Sequence, residues 1–186
     1  RTGWKRFYLK WYGANLKSAE QLCPKTVALI NTLPNVKGAM FTMLPPGARL
    51  GKHRDPYAGS LRYHLGLVTP NSDDCYISVD GQNYSWRDGE AVMFDETFIH
   101  YAENKTDHNR IILFLDVKRP VDFKWVDWIN EIFSRLVVAG AATKNVKGDK
   151  VGFLNRAFAY LYQVRLVGKK IKAFNKPLYY ILQYGL

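Results

Sequence analysis

The sequence predicts a mainly β fold, a sandwich or barrel of short strands with helices at its flanks. Three observations point there. Between Val36 and Pro120 short apolar segments recur about every ten residues, each closed off by turn residues. An aromatic strand and a helical pattern precede this stretch. After it the apolar spacing changes from that of a strand to that of a helix.

Taken in order, residues 4–12 (WKRFYLKWY) alternate loosely and are rich in aromatics, which suits a strand. Residues 15–33 carry apolar positions at helical spacing. Pro24 suits the first turn of a second short helix, and Leu33-Pro34-Asn35 stops it. Then come AMFTML (39–44), LRYHLGLV (61–68), CYISV (75–79), EAVMF (90–94) and RIILFLDV (110–117). Their separators are PPG (45–47), DPYAG (55–59), TPNSDD (69–74) and the DG pairs at 80–81 and 88–89. Beyond Arg119-Pro120, residues Trp125, Trp128, Ile129, Ile132, Phe133, Leu136 and Val137 share one helical face. The helix over 125–138 is expected to pack on the barrel. After a Gly- and Lys-containing loop, Phe153, Leu154, Ala157, Phe158, Leu161 and Tyr162 repeat the pattern. The expected organisation is an N-terminal strand and helical segment (1–35), a β core (36–120) and a basic, aromatic helical region (121–186).

With 186 residues, 47% of them apolar, the chain can bury a core and is not disordered. Cys23 and Cys75 are too few for a disulfide framework, and neither has a CxxC partner, which excludes a zinc knuckle. The net charge of +11 is uneven: 14 basic and 12 acidic residues precede Val117, whereas 13 basic and 4 acidic follow. A basic tail serves nucleic acid or an anionic membrane surface. No groove-reading motif is evident, so no nucleic acid is expected. Lys169, Lys170, Lys172 and Lys176 make the second helical segment the better membrane candidate. No stretch approaches the ~18 apolar residues of a transmembrane helix. The chain opens on Arg1, which leaves an upstream anchor open.

The chemistry gathers in GKHRDPYAGSLRYHLGL (51–67). On a strand, residues two apart point the same way, so His53 and Asp55 present an imidazole and a carboxylate to one point. His100, beyond EAVMF and the turn DETFIH, is the candidate third ligand. Two histidines and one carboxylate on one face of an octahedron leave three open positions, the arrangement of non-haem Fe(II) oxygenases. An HxD pair also decorates exposed turns. Arg110 opens an apolar strand and can grip a carboxylate with two parallel hydrogen bonds, or pair with a structural acid. Arg62 and His64 share a strand face; a satisfied core histidine and an anion-facing pair both fit. Asp95 and Glu96 suit turn formation first and support of His100 second. Lys52 and Arg54 point away from His53, and His108 sits in a polar loop.

HRDPYAGSLRYHLGLVTP followed by WRDGEAVMFDETFIHYAENKTDHNRIILFLDVKRP resembles the aspartyl/asparaginyl β-hydroxylase family of 2-oxoglutarate-dependent oxygenases, and within it the bacterial lipid A 2-hydroxylase branch. The likeness is strong over about residues 36–120 and loose at the flanks. It implies a double-stranded β-helix, or jelly roll, with Fe(II) held by His53, Asp55 and His100. Some protein-modifying relatives have glycine in place of the acid, so Asp55 argues for a full triad. By the same likeness Arg110 binds the distal carboxylate of the cosubstrate 2-oxoglutarate. Arg62, His64 and Thr42 make further cosubstrate contacts, and O2 is the second cosubstrate. The implied substrate is lipid A or its precursor, hydroxylated on an acyl chain at its 2-position. The implied place is the cytoplasmic side of an inner membrane, peripheral or anchored. The alternatives are an aspartyl/asparaginyl hydroxylase acting on a protein, a non-catalytic barrel that binds lipid or another anion, and a metal-dependent enzyme that uses no 2-oxoglutarate.

Overall fold

A computed structural model describes residues 3–141 and 143–149, together with 152, 153, 156, 157 and 160. The aromatic N-terminal stretch forms β1 (Lys5–Trp11), followed by the short β2 (Ala14–Asn15). Between them Tyr12 adopts φ 35° and Gly13 φ 115°, the left-handed pair that closes a tight hairpin. Tyrosine rarely tolerates that conformation; here its hydroxyl is bonded inside the protein, as shown below. Two helices follow, α1 (Lys17–Leu22) and α2 (Pro24–Asn31). Pro24 stands in the first turn of α2, where a missing N–H costs nothing.

Eight strands then follow, divided between two facing sheets. They are β3 (Val36–Leu44), β4 (Arg49–His53), β5 (Ser60–Val68), β6 (Cys75–Val79), β7 (Gln82–Ser85), β8 (Ala91–Phe94), β9 (His100–Asn104) and β10 (Arg110–Lys118). One sheet runs β2-β1-β3-β10-β5-β8 and the other β4-β9-β6-β7. Every pairing is antiparallel, and the connectivity is that of a double-stranded β-helix. Leu9, Met40, Leu44, Ile112 and Leu115 of the larger sheet and Ile77 and Ala102 of the smaller belong to one buried core. β6 and β7 are joined by Asp80-Gly81, both at positive φ, as a two-residue hairpin requires. Gly66 on β5 is set by close approach instead: a Cβ there would meet the Arg87 carbonyl oxygen at 2.0 Å.

The expected C-terminal helix is α3 (Lys124–Phe133), which runs on through a wider, π-type turn over Ser134–Val138. The helix does lie on the barrel, but most of its apolar stripe faces away from it: Trp125 is 64% exposed, Trp128 65% and Leu136 60%, while Phe133 stacks on Tyr57. The opposite, polar side of α3 faces the barrel. Asp127 pairs with Lys118 at 2.6 Å and Glu131 with Lys37 at 2.9 Å. Acids at positions 127 and 131 find cations on the strands, so they win the inward face. The second helical segment at 153–162 and the lysines at 169–176 lie largely or wholly outside the described residues. No described helix is long and apolar enough to cross a membrane.

Candidate metal centre

The smaller sheet brings His53 and His100 face to face. They are register partners across β4 and β9, next to an irregularity after Leu50, and their rings stand 4.3 Å apart. Each imidazole is oriented by the carbonyl two residues before it. His53 Nδ1 lies 2.7 Å from the Gly51 carbonyl and His100 Nδ1 3.0 Å from the Phe98 carbonyl. A carbonyl only accepts, so both protons sit on Nδ1 and both Nε2 lone pairs are left for a cation. Burial, opposed in part by the Phe98 contact, lowers the pKa of His100 and keeps it neutral. Asp55 follows β4, its backbone N–H donating to the Glu96 carbonyl at 2.9 Å. Its Oδ1 lies 4.0 Å from His53 Nε2. One ligand atom from each of His53, Asp55 and His100 lies within 4.8 Å of the others. Two imidazoles and one carboxylate, each with a free donor atom, suit a divalent transition metal.

Behind the carboxylate stands a buried polar network. Arg62 Nη1 donates to Asp55 Oδ2 at 2.6 Å, while its Nε and Nη2 donate to Asp116 Oδ1 at 3.2 and 3.0 Å. Asp55 thus gives one oxygen to Arg62 and turns the other toward the histidines. Burial works against the Arg62 charge, but Asp116 and then Asp55 outweigh it and hold the guanidinium above its ordinary value. The Tyr12 hydroxyl lies 3.2 Å from Asp116 Oδ2 and 3.3 Å from Ser60 Oγ, and Ser60 donates to Glu96 Oε1 at 2.7 Å. Burial raises the pKa of Glu96.

A cavity of about 300 Å³ opens beside the three groups and runs between the sheets. At its inner end are Thr42, His64, Trp86 and Arg110, all buried. Arg110 lies over the Trp86 ring at 4.4 Å, and its Nε has no partner. Among the described residues no carboxylate pairs with it. Burial pushes its guanidinium down to about 10, which still leaves a cation at neutral pH. Both ring nitrogens of His64 and Nε1 of Trp86 also lack partners. Burial, then the charges of Arg110 and Arg62, hold His64 well below its ordinary pKa, so it offers one donor and one acceptor.

The structure thus brings His53, Asp55 and His100 together and lines one cavity with them, Arg62, His64, Thr42 and Arg110. The structural acid imagined for Arg110 belongs to Arg62 instead. Glu96 is no mere turn former: it is 1% exposed, while Asp95 caps the turn at Thr97 and binds Arg119 at 2.7 Å. Lys52 lies over the Tyr101 ring and His108 is exposed. Sequence reasoning missed Trp86, Ser60, Tyr12 and Asp116. The signal for Asp116 was there: a carboxylate inside the apolar run RIILFLDV needs a buried cation.

The fold and the site together are a jelly roll with a His-Asp-His cluster that could hold a metal at the mouth of a cavity. The sequence profile described as Aspartyl/Asparaginyl beta-hydroxylase matches residues 1–120, and the chain belongs to that family. It is 39% identical over 130 residues to the ornithine lipid ester-linked acyl 2-hydroxylase of Rhizobium tropici, spanning 68% of this chain and 46% of that protein. It is 30% identical over 122 residues to the aspartyl/asparaginyl beta-hydroxylase of Homo sapiens, spanning 63% of this chain and 16% of that protein. The chain therefore spans less than half the length of either relative. Among solved structures, the Cupin_2 domain of an XRE family transcriptional regulator from Enterobacter cloacae superposes with TM-score 0.44 at 14% identity, over 63% of this chain and 98% of that one.

Proposed function

We propose that the chain is an Fe(II)- and 2-oxoglutarate-dependent hydroxylase acting at the 2-position of a fatty acyl chain of lipid A. The observation that carries the cosubstrate assignment is Arg110. A buried guanidinium without an anion is costly, and this one stands in the same cavity as the metal-type cluster. A dicarboxylate reaching from that cluster to Arg110 supplies the missing charge. In this proposal Nε2 of His53, Nε2 of His100 and Oδ1 of Asp55 hold the iron. Arg110, Thr42 and His64 receive the cosubstrate. When bound, Fe(II) with 2-oxoglutarate and O2 supplies the oxidising power to hydroxylate an unactivated C–H bond, releasing succinate and carbon dioxide.

The chain's own work is binding, orientation and exclusion of water. Arg62 holds Asp55 so that one oxygen faces the histidines. Met40, Leu50, Phe94 and Phe114 give the cavity apolar walls that accept a methylene chain and exclude water. No side chain need act as a base at the C–H bond. The acyl substrate is supported by the named activity of the Rhizobium relative, which also makes ornithine lipid the second candidate lipid. The human relative supports a second reading, hydroxylation of Asp or Asn in a protein.

The test is to incubate the purified chain with Fe(II), 2-oxoglutarate and O2 against lipid A, ornithine lipid and an Asp/Asn-containing peptide. Succinate formation matched by the gain of one oxygen on the acyl chain of lipid A is expected. Gain only on ornithine lipid corrects the lipid, gain only on the peptide overturns the acyl assignment, and no succinate overturns the enzyme.

A further inference from the structure

We infer that α3 docks the chain on an anionic lipid surface, its outward stripe of Trp125, Trp128, Ile129, Ile132 and Leu136 entering the interface. The helix is turned the opposite way from an ordinary surface helix. At 100° per residue, Trp125, Trp128, Ile129 and Ile132 fall within one arc about 100° wide, and these residues are exposed. Asp127, Asn130 and Glu131 fall on the barrel side, where each has a contact, and Phe133, 43% exposed at the edge of the arc, reaches Tyr57. An arc of this kind, with two tryptophans and two isoleucines left in water, has the composition that sits at a lipid interface.

Charge selects the occupant. The two acids of α3 are neutralised by Lys118 and Lys37 and face inward. The cations bordering the stripe are the exposed Lys124 and Arg135. Arg135, its side chain 72% exposed, lies 3.0 Å from Glu131 and shares it with Lys37, two cations to one acid, so the border stays net positive. On a chain of net charge +11, a second copy of this face would set cation against cation. An anionic bilayer surface meets both the apolar arc and the cationic border.

The placement also bears on the site. Tyr57, two residues beyond Asp55, stacks on Phe133 at 5.5 Å and 14°, and its hydroxyl donates to the Asn130 carbonyl at 3.4 Å. Trp11, which lines the cavity, donates its indole N–H to the Val138 carbonyl at 2.9 Å. The docking helix therefore braces the loop that carries Asp55 and one wall of the cavity. This last point, that docking presents the cavity to a lipid-borne acyl chain, rests on the function proposed above; the docking itself does not.

The experiment is flotation of the full chain with phosphatidylcholine vesicles, with and without phosphatidylglycerol, beside the double variant Trp125→Ser/Trp128→Ser. The parent should float with the anionic vesicles and bind less in high salt. The double variant should partition at least about tenfold more weakly, with its thermal midpoint unchanged because both side chains are already in water. Equal flotation of parent and variant overturns the proposal. So does a lowered midpoint, which would mean that the stripe is covered within the chain, for instance by residues 161–186. A parent dimer that the variant abolishes, with no change in flotation, assigns the face to a second copy and also overturns it. Turnover with detergent-dispersed lipid separates the two claims. The variant should match the parent in detergent and fall behind on vesicles; a parent inactive on both sinks the function while flotation still decides the docking.

Discussion

Replacing Arg62 with methionine removes the one cation shared by Asp55 and Asp116. The Arg62 side chain is 12% exposed and that of Asp116 3%, so the variant leaves a buried carboxylate with only the Tyr12 hydroxyl beside it. Breaking a buried pair from one side costs about 3–5 kcal/mol. Asp55, a third exposed, adds little to that figure. For a domain of this size the midpoint should fall by about 10 °C, followed by circular dichroism at neutral pH. Metal binding supplies the second reading. Asp55 loses the partner that turns it, so Mn(II) or Fe(II) should bind about 10–100-fold more weakly. The double variant Arg62→Met/Asp116→Leu should regain most of the stability and none of the metal affinity, which separates packing from positioning. A single variant that melts within about 2 °C of the parent and binds metal equally well would show that Arg62 anchors neither acid.

Arg110→Met should abolish turnover while holding or raising the thermal midpoint, because a buried cation without a partner is removed; 2-oxoglutarate should stabilise the parent against heat and not the variant. Gly66→Ala should destabilise by about 1–3 kcal/mol in a denaturant titration, since its Cβ would have to displace the Arg87 carbonyl. Asp149 accepts bonds from the Ser18 backbone N–H at 3.0 Å and hydroxyl at 2.6 Å. Burial opposes the Asp149 charge, but these and the neighbouring backbone contacts hold its carboxyl below the ordinary value. A depressed acid stabilises above its unfolded pKa and loses that contribution as pH falls through the folded one. Asp149→Asn should therefore cost about 1 kcal/mol at neutral pH, and the difference from the parent should begin to shrink only below about pH 4 and vanish in stronger acid, once the folded carboxyl is protonated too.

The larger sheet was largely legible in the sequence because its strands carry apolar residues on the core face. VKGAMFTML and RIILFLDVK could hardly be anything else. Of the smaller sheet only β6, CYISV, was, and the reason is chemical. β4 reads RLGKH and β7 reads QNYS, exposed edge strands without an apolar period. β9 is central, yet its inward positions are His100, Ala102 and Asn104, so site and polar residues stand where a strand signal would be. The spacing of His53 and Asp55 was readable as a pair, but only the β4–β9 register sets His100 against His53. The helical period of α3 was visible, whereas its orientation was not, because that depends on Lys37 and Lys118 far away in sequence. Arg62 shows the same limit: its neighbours suggested an anion from outside, and Asp116, on the neighbouring strand β10, is the anion.

The central claim is that His53, Asp55 and His100 close around one ferrous ion that has room for a keto acid. Anaerobic titration of the chain with Fe(II) and 2-oxoglutarate tests it most directly. A weak visible charge-transfer band should grow to one equivalent, bleach on admission of air, and be missing in His100→Ala. A chain that is folded and binds Fe(II) but gives no band with 2-oxoglutarate, or gives the same band without His100, would contradict it.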